Sequence, residues 1–179
     1  MAEERTLGRI IITEEELQEK VAELAEAINK DYPEGELIVV GILKGCFVFL
    51  ADLVRKLKAD IKVHFMQVSS YGDGTQSSGN LIIKQDLDVD IEGKHLLLAE
   101  DIIDSGNTLY QLIPSLKERN PASVKVCALL SKPSRRQVEF EADYTGFEIP
   151  DEFIVGYGLD CAESYRQLPY IAVVQTEEE

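Results

Sequence analysis

Leu17, Val21, Leu24 and Ile28 recur at helical spacing behind Thr13, and Glu16 completes a capping box with that threonine, so a helix is predicted to about Lys30. A different pattern follows. Leu37-Ile-Val-Val-Gly-Ile42 is apolar without alternation, as in a parallel strand that meets helices on both faces. Val48 to Leu57 returns to the helical period, and Ile61-Lys-Val-His-Phe-Met66 alternates like a strand with one wet face, on which His64 falls. Ser69 to Asn80 is rich in glycine, serine and threonine and reads as a long loop; inside a compact domain such a loop is commonly an active-site lid. A short strand is expected at Leu81 to Lys84, a buried one at His95 to Ala99, a helix at Leu109 to Arg119, and a strand at Val124 to Leu130. Phe153 to Tyr157 and Tyr170 to Val174 complete the set. Strands alternating with helices predict an α/β fold, a mostly parallel central sheet flanked by helices. No repeat, low-complexity stretch or linker interrupts residues 1–179, so one domain is expected.

Composition narrows the classes. At 45% apolar residues and six prolines the chain is expected to build a packed core rather than stay disordered. No apolar run approaches the ~20 residues of a membrane span, and Met1-Ala-Glu-Glu-Arg lacks the features of a signal peptide, so no membrane role and a cytoplasmic location are expected. Cys46, Cys127 and Cys161 share no metal or redox spacing and read as small buried hydrophobes in a reducing compartment. A formal charge of −15 argues against nucleic-acid binding, which draws its affinity from Lys and Arg. A polyanionic substrate is still possible where cations are gathered locally, which singles out Lys44, Lys132, Arg135, Arg136 and Arg166.

The densest chemistry lies in residues 96–108, Leu-Leu-Leu-Ala-Glu-Asp-Ile-Ile-Asp-Ser-Gly-Asn-Thr. A buried strand is expected to stop near Glu100 and Asp101, and Asp104 to Thr108 to form a small polar loop opening a helix. Ligands of open α/β sheets bind outside the carboxyl ends of strands, and free N–H groups at a helix start suit a phosphate. Three carboxylates beside a phosphate cradle repel it unless they have another task. They either hold a divalent cation, since Mg²⁺ is usually bound by one or two carboxylates plus substrate oxygens, or grip the vicinal hydroxyls of a ribose. Taken singly, the same acids also fit a solvated turn with Asp104 as helix cap. Lys44-Gly45 follows the first buried strand, where glycine permits close approach and lysine meets a phosphate; a surface lysine in a strand-to-helix turn fits as well. His64 and His95 have no metal or nucleophile partner and read as structural.

Leu98-Ala-Glu-Asp-Ile-Ile-Asp-Ser-Gly-Asn-Thr-Leu109 resembles the phosphoribosyl-pyrophosphate motif of type I phosphoribosyltransferases. Gly41-Ile-Leu-Lys-Gly45, Ser69-Ser-Tyr-Gly72, Leu130-Ser-Lys-Pro133 and Phe147-Glu-Ile-Pro-Asp-Glu-Phe-Ile-Val-Gly-Tyr-Gly-Leu-Asp160 resemble the hypoxanthine (hypoxanthine–guanine) branch, in its order and spacing. The resemblance implies the type I phosphoribosyltransferase fold, with a small hood from the terminal segments and a long flexible active-site loop. It implies transfer of the phosphoribosyl group from phosphoribosyl pyrophosphate to a 6-oxopurine, with Mg²⁺ as cofactor, and a homodimer or homotetramer.

By the same resemblance, Glu100, Asp101, Asp104, Ser105, Gly106, Asn107 and Thr108 bind the phosphoribosyl group and its 5′-phosphate, and Asp104 removes the purine proton as general base. Lys44, Gly45 and Arg166 bind pyrophosphate, with a cis peptide between Leu43 and Lys44. Lys132 reads the 6-oxo group, Phe153 stacks on the purine, and Ile154 and Asp160 border the base. Glu100, Asp101 and Asp160 are the metal-site acids, and Ser70 and Tyr71 begin the closing loop. Asp160 also fits a cap for a helix containing Ala162 to Arg166, and Arg166 a surface charge on it. One departure from the family pattern is Asn80-Leu-Ile-Ile-Lys-Gln85, which lacks an arginine often found there and bears on loop closure. The rival classes are a regulator of this fold that binds RNA or DNA, for which the chain shows no basic face, and a transferase for adenine, orotate or uracil, against which Lys132 and Phe153 stand.

Overall fold

The computed structural model describes residues 5–70 and 81–176. In chain order its elements are β1 (Arg5–Ile12), α1 (Glu14–Asp31), β2 (Glu36–Leu43), α2 (Phe47–Val54), β3 (Asp60–Ser70), β4 (Leu81–Gln85), β5 (His95–Ile103) and α3 (Asn107–Lys117). There follow β6 (Ser123–Ser131), a 3-10 turn at Pro133–Arg135, β7 (Tyr144–Glu148), β8 (Ile154–Val155) and β9 (Ile171–Thr176). The main sheet has the order β4-β3-β2-β5-β6-β7, parallel except for β4, which pairs antiparallel with β3. A small antiparallel sheet, β1-β9-β8, joins both terminal segments into the expected hood.

The unbroken apolar runs follow from burial on both faces, because successive strand residues point to opposite sides. Leu37, Val39, Leu97, Ala99, Cys127 and Leu129 enter one core with the apolar faces of α1 and α2 and the hood residues Ile12, Ile154 and Ile171. Ile38, Val40, Ile42, Leu96, Leu98, Val126 and Ala128 enter the other, closed by Leu109, Leu112 and Leu116 of α3. The capping box of α1 is present: Glu16 N donates to Thr13 Oγ1 at 3.2 Å, and Thr13 N to the Glu16 carboxylate at 2.8 Å. All three cysteines are buried thiols.

Several elements differ from the sequence reading, among them the expected strand Phe153 to Tyr157, which is only Ile154–Val155. β1 carries no sequence signal because its partner, β9, lies at the other end of the chain and leaves Leu7 and Ile10 exposed. β7 is a half-exposed edge strand whose Gly146 lies so close to Leu129 O that a Cβ would stand 2.4 Å from it. α2 ends at Val54, short of Leu57. The helix at Ala162 to Arg166 does not form: Ala162, Glu163 and Tyr165 have φ of 50°, 67° and 76°, in the left-handed region that excludes a right-handed helix. On β3 the outward face carries Val63 and Phe65, while the more enclosed His64 bonds through Nδ1 to Asp88 Oδ1 at 3.3 Å. His95 Nδ1 meets Ser123 Oγ at 2.7 Å, a structural contact as expected.

Candidate active site

Chain order along the sheet reverses between β2 and β5, since β2 leads outward to β3 and β5 outward to β6. A crevice opens at such a switch point beyond the carboxyl ends of the strands. The pairing of β2 with β5 ends at Gly41–Ala99, whereas β5 and β6 stay paired to Ile103–Ser131. Glu100 and Asp101 thus lie inside β5, not at its end, on a stretch that has lost its β2 neighbour. The resulting cleft holds ≈ 300 Å³ and is lined by Lys44, Gly45, Glu100, Asp101, Asp104, Ser105, Gly106 and Thr108 among others. Val68 on β3 forms part of its wall.

The phosphate end of the cleft is the start of α3. Its cap is Gly106, in the left-handed region at φ 82°, not Asp104, and this residue has no side chain with which to cap the helix. Ser105 Oγ accepts from Asn107 N at 3.2 Å. The α3 dipole and amide groups therefore face the cleft beside the Ser105 and Thr108 hydroxyls. The Asn107 side-chain amide donates to Gln137 Oε1 at 2.7 Å, which ties it to the segment after β6.

Glu100 and Asp101 bond to each other. Burial pushes the Glu100 carboxyl well above its ordinary value, with the Asp101 charge adding to the rise. Burial also raises Asp101, held back by its bond with Glu100 and by the Ile102 N–H that donates to Oδ1 at 2.9 Å. Among the described residues no ion pair reaches either carboxylate. Two enclosed hard-oxygen groups without a cation fit a divalent ion that keeps its other positions for water and substrate. A three-carboxylate set is not assembled among the described residues. Asp160, expected as its third member, accepts from Glu163 N at 2.8 Å and pairs with Arg166 Nη2 at 3.0 Å instead.

Lys44 and Gly45 form the opposite lip, after a cis Leu43–Lys44 peptide. Gly45 is packed so closely that a Cβ would lie 1.7 Å from Asp101 Oδ2. Behind it Gly158, at φ 99°, leaves room for Gly45 O, which a Cβ would approach to 2.2 Å. Arg166 supports this turn by donating to Gly158 O at 2.8 Å. Glu163 bridges the two expected pyrophosphate cations, 3.0 Å from Lys44 Nζ and 3.5 Å from Arg166 Nη2.

Lys132 is a buried cation at the end of β6, where Nζ donates to Glu152 O at 2.8 Å with Asp151 at 3.7 Å. The adjacent Phe153 is 56% exposed, so it is a free ring and not a core residue. Ile154 is buried in β8, paired with Val173. Arg9 of β1 anchors this segment through a bidentate pair to Glu152, at 2.8 to 3.0 Å. Two further residues have roles that sequence patterns do not mark. Arg136 donates through Nη1 to Asp104 O at 2.6 Å and Ile103 O at 3.1 Å, and through Nη2 to Ser131 Oγ at 2.7 Å. Arg135 places Nε 2.6 Å from Asp104 Oδ1 and Nη1 3.3 Å from Asp151 Oδ2. The composition marks both only as cations in an acidic chain. Of the loop pair, Ser70 ends β3, and Tyr71 lies outside the described residues.

A main sheet with its switch-point cleft, a glycine-capped helix start and paired acids is the arrangement that a sugar-phosphate transferase needs. Residues 12–162 match the phosphoribosyl transferase domain family, and the chain belongs to it. Within the family it falls on the hypoxanthine–guanine branch. It is 50% identical over 174 residues to the hypoxanthine-guanine phosphoribosyltransferase of Streptococcus pneumoniae strain R6, covering 97% of each chain. The crystal structure of a hypoxanthine-guanine phosphoribosyltransferase from Bacillus anthracis, with a HEPES molecule in its active site, superposes with a TM-score of 0.91 at 48% identity, covering 97% of this chain and 100% of that one. The chain is also 49% identical over 171 residues to the bifunctional protein TilS/HprT of Listeria monocytogenes serotype 4b, matching 96% of this chain and 26% of that longer protein. Among the described residues no helix is long and apolar enough to cross a membrane.

Proposed function

We propose that residues 1–179 act as one domain that salvages purines, transferring the 5-phosphoribosyl group of phosphoribosyl pyrophosphate to hypoxanthine, and to guanine, with release of pyrophosphate. The observation that carries this is the meeting of paired acids, helix start and Lys44–Gly45 lip in one cleft at the switch point; the buried Lys132, whose backbone N donates to Ile103 O of the cleft wall at 2.9 Å, and the exposed Phe153 support the assignment of the base. Ser105 to Thr108 hold the 5′-phosphate by backbone N–H groups and hydroxyls. Glu100 and Asp101 hold the ribose side and a divalent cation, for which Mg²⁺ is the fitting ion; when bound, it neutralises the pyrophosphate. Lys44, Gly45 and Arg166 receive the departing pyrophosphate.

Lys132 donates to the exocyclic oxygen of the base. An amino group at that position leaves one N–H of the buried ammonium, beyond the one held by Glu152 O, without an acceptor, a discrimination against adenine. Phe153 stacks on the purine, and the Ile154 backbone and Asp160 border it. Asp104 takes the proton from the purine nitrogen as that nitrogen attacks the anomeric carbon and the bond to pyrophosphate breaks. Ser70 and Tyr71 begin the loop that closes over the centre, which matters because water would otherwise intercept the activated sugar. The enzyme is expected in the cytoplasm, as a homodimer or homotetramer; exposed Phe47, Val63 and Phe65 supply apolar surface for such contacts.

The test offers phosphoribosyl pyrophosphate and Mg²⁺ with hypoxanthine, guanine, xanthine or adenine and follows nucleotide formation. IMP and GMP are expected, AMP is not, and no nucleotide from any 6-oxopurine overturns the proposal.

A further inference from the structure

Asp104 presents its two carboxylate oxygens very differently. Oδ1 is covered and makes no hydrogen bond of good geometry, with Arg135 Nε against it at 2.6 Å. Yet the Asp104 side chain as a whole is 46% exposed and lines the cleft, so Oδ2 is the oxygen left open. Arg135 is itself tied down, because Nη1 reaches both oxygens of Asp151, at 3.3 and 3.4 Å. The Asp104 backbone is fixed independently, by Arg136 on its carbonyl at 2.6 Å.

We propose that Arg135 is a positioning residue for the transfer reaction: anchored on Asp151, it pins Asp104 Oδ1 and leaves Oδ2 as the single oxygen presented to the purine proton. This rests on the proposed role of Asp104 as general base. Arg135 reaches the substrate only through Asp104, so its contribution falls on turnover, not on purine binding. An ion pair this exposed contributes little to stability, so removing it leaves the fold intact. A planar guanidinium can span two carboxylates, whereas a lysine ammonium on a flexible stem holds one at a time. Arg135→Lys therefore restores only part of what Arg135→Gln loses.

The experiment is a double-mutant cycle on the full chain, with kcat and the KM for hypoxanthine measured at saturating phosphoribosyl pyrophosphate and Mg²⁺. Arg135→Gln is expected to lower kcat roughly tenfold, a part of the ~10²–10⁴-fold a positioned base supplies, with KM changed less than about threefold. In an Asp104→Asn background the same substitution is expected to cost less than about twofold, because it has no base left to position. Asp151→Asn, which loosens the anchor, is expected to lower kcat in the same direction by a smaller factor. An undiminished kcat in Arg135→Gln, a loss confined to KM, or a full loss repeated in the Asp104→Asn background overturns the proposal. Absence of nucleotide with the unsubstituted enzyme overturns instead the transferase reading on which it rests.

Discussion

Gly45 and Asp101 are a pair in which one missing methyl group decides the shape of the site. A Cβ on Gly45 would stand 1.7 Å from Asp101 Oδ2, so either the lip or the carboxylate must move. Overpacking of this kind costs about 1–3 kcal/mol, which is roughly five- to 150-fold in an equilibrium. Gly45→Ala is expected to raise the KM for phosphoribosyl pyrophosphate about tenfold while the KM for hypoxanthine holds, as initial-rate kinetics against each substrate will show. Asp104→Asn removes the proposed base and keeps the shape. It is expected to lower turnover by ~10²-fold or more with unchanged circular dichroism and phosphoribosyl pyrophosphate affinity. Wild-type turnover in that variant would remove Asp104 from the mechanism.

Between elements, the cleft depends on a polar junction behind it. Asp52 on α2 accepts from Tyr157 OH, in the turn before Gly158, and from Gln18 Nε2 on α1 at 2.9 Å. Burial pushes the Asp52 carboxyl up, but bonds from Tyr157, Gln18 and Arg55 more than offset this and leave it below its ordinary value. A carboxyl whose folded pKa is depressed stabilises the fold above its unfolded pKa and loses that contribution as pH falls through the folded value. Asp52→Asn is therefore expected to cost about 1–3 kcal/mol at pH 7, with the gap to the wild type closing as the pH drops below the carboxylate range. Urea denaturation of both proteins along a pH series measures it. The same junction holds the turn that leaves room for Gly45 O, so the variant is also expected to weaken pyrophosphate inhibition.

At the scale of the whole molecule, Val63 and Phe65 stand on the outward face of β3 at 41% and 38% exposure, and Phe47 at the start of α2 at 45%. Contiguous exposed apolar surface marks association sites, and Val63 and Phe65 lie two residues apart on one face of β3. Phe65→Lys is expected to shift the sedimentation coefficient toward that of a single chain of 20.0 kDa. An unchanged coefficient removes this face from any proposed association.

What was legible in the sequence was local or periodic. The capping box of Thr13 and Glu16, the unbroken apolar runs of β2, β5 and β6, and the helical stripe of α1 each follow from a pattern a few residues long. So did the acids and small residues of 100–108, because a phosphate cradle needs its glycine and hydroxyls contiguous. Hidden were the features that depend on partners distant in the chain. β1 exists because β9 pairs with it, and residues 162–166 turn in left-handed steps instead of forming a helix, with Arg166 directed back to Gly158 O. Asp104, Arg135 and Asp151 come together only when the turn after β6 folds beside the end of β5. Sequence by itself determined where the candidate chemistry gathers along the chain and which strands are buried, since burial on two faces and a helix-start cradle write themselves into neighbouring positions. Tertiary structure alone decided which oxygen of Asp104 is open, where Asp160 spends its charge and how Glu163 bridges Lys44 to Arg166, because each is a distance between residues that the chain order leaves apart.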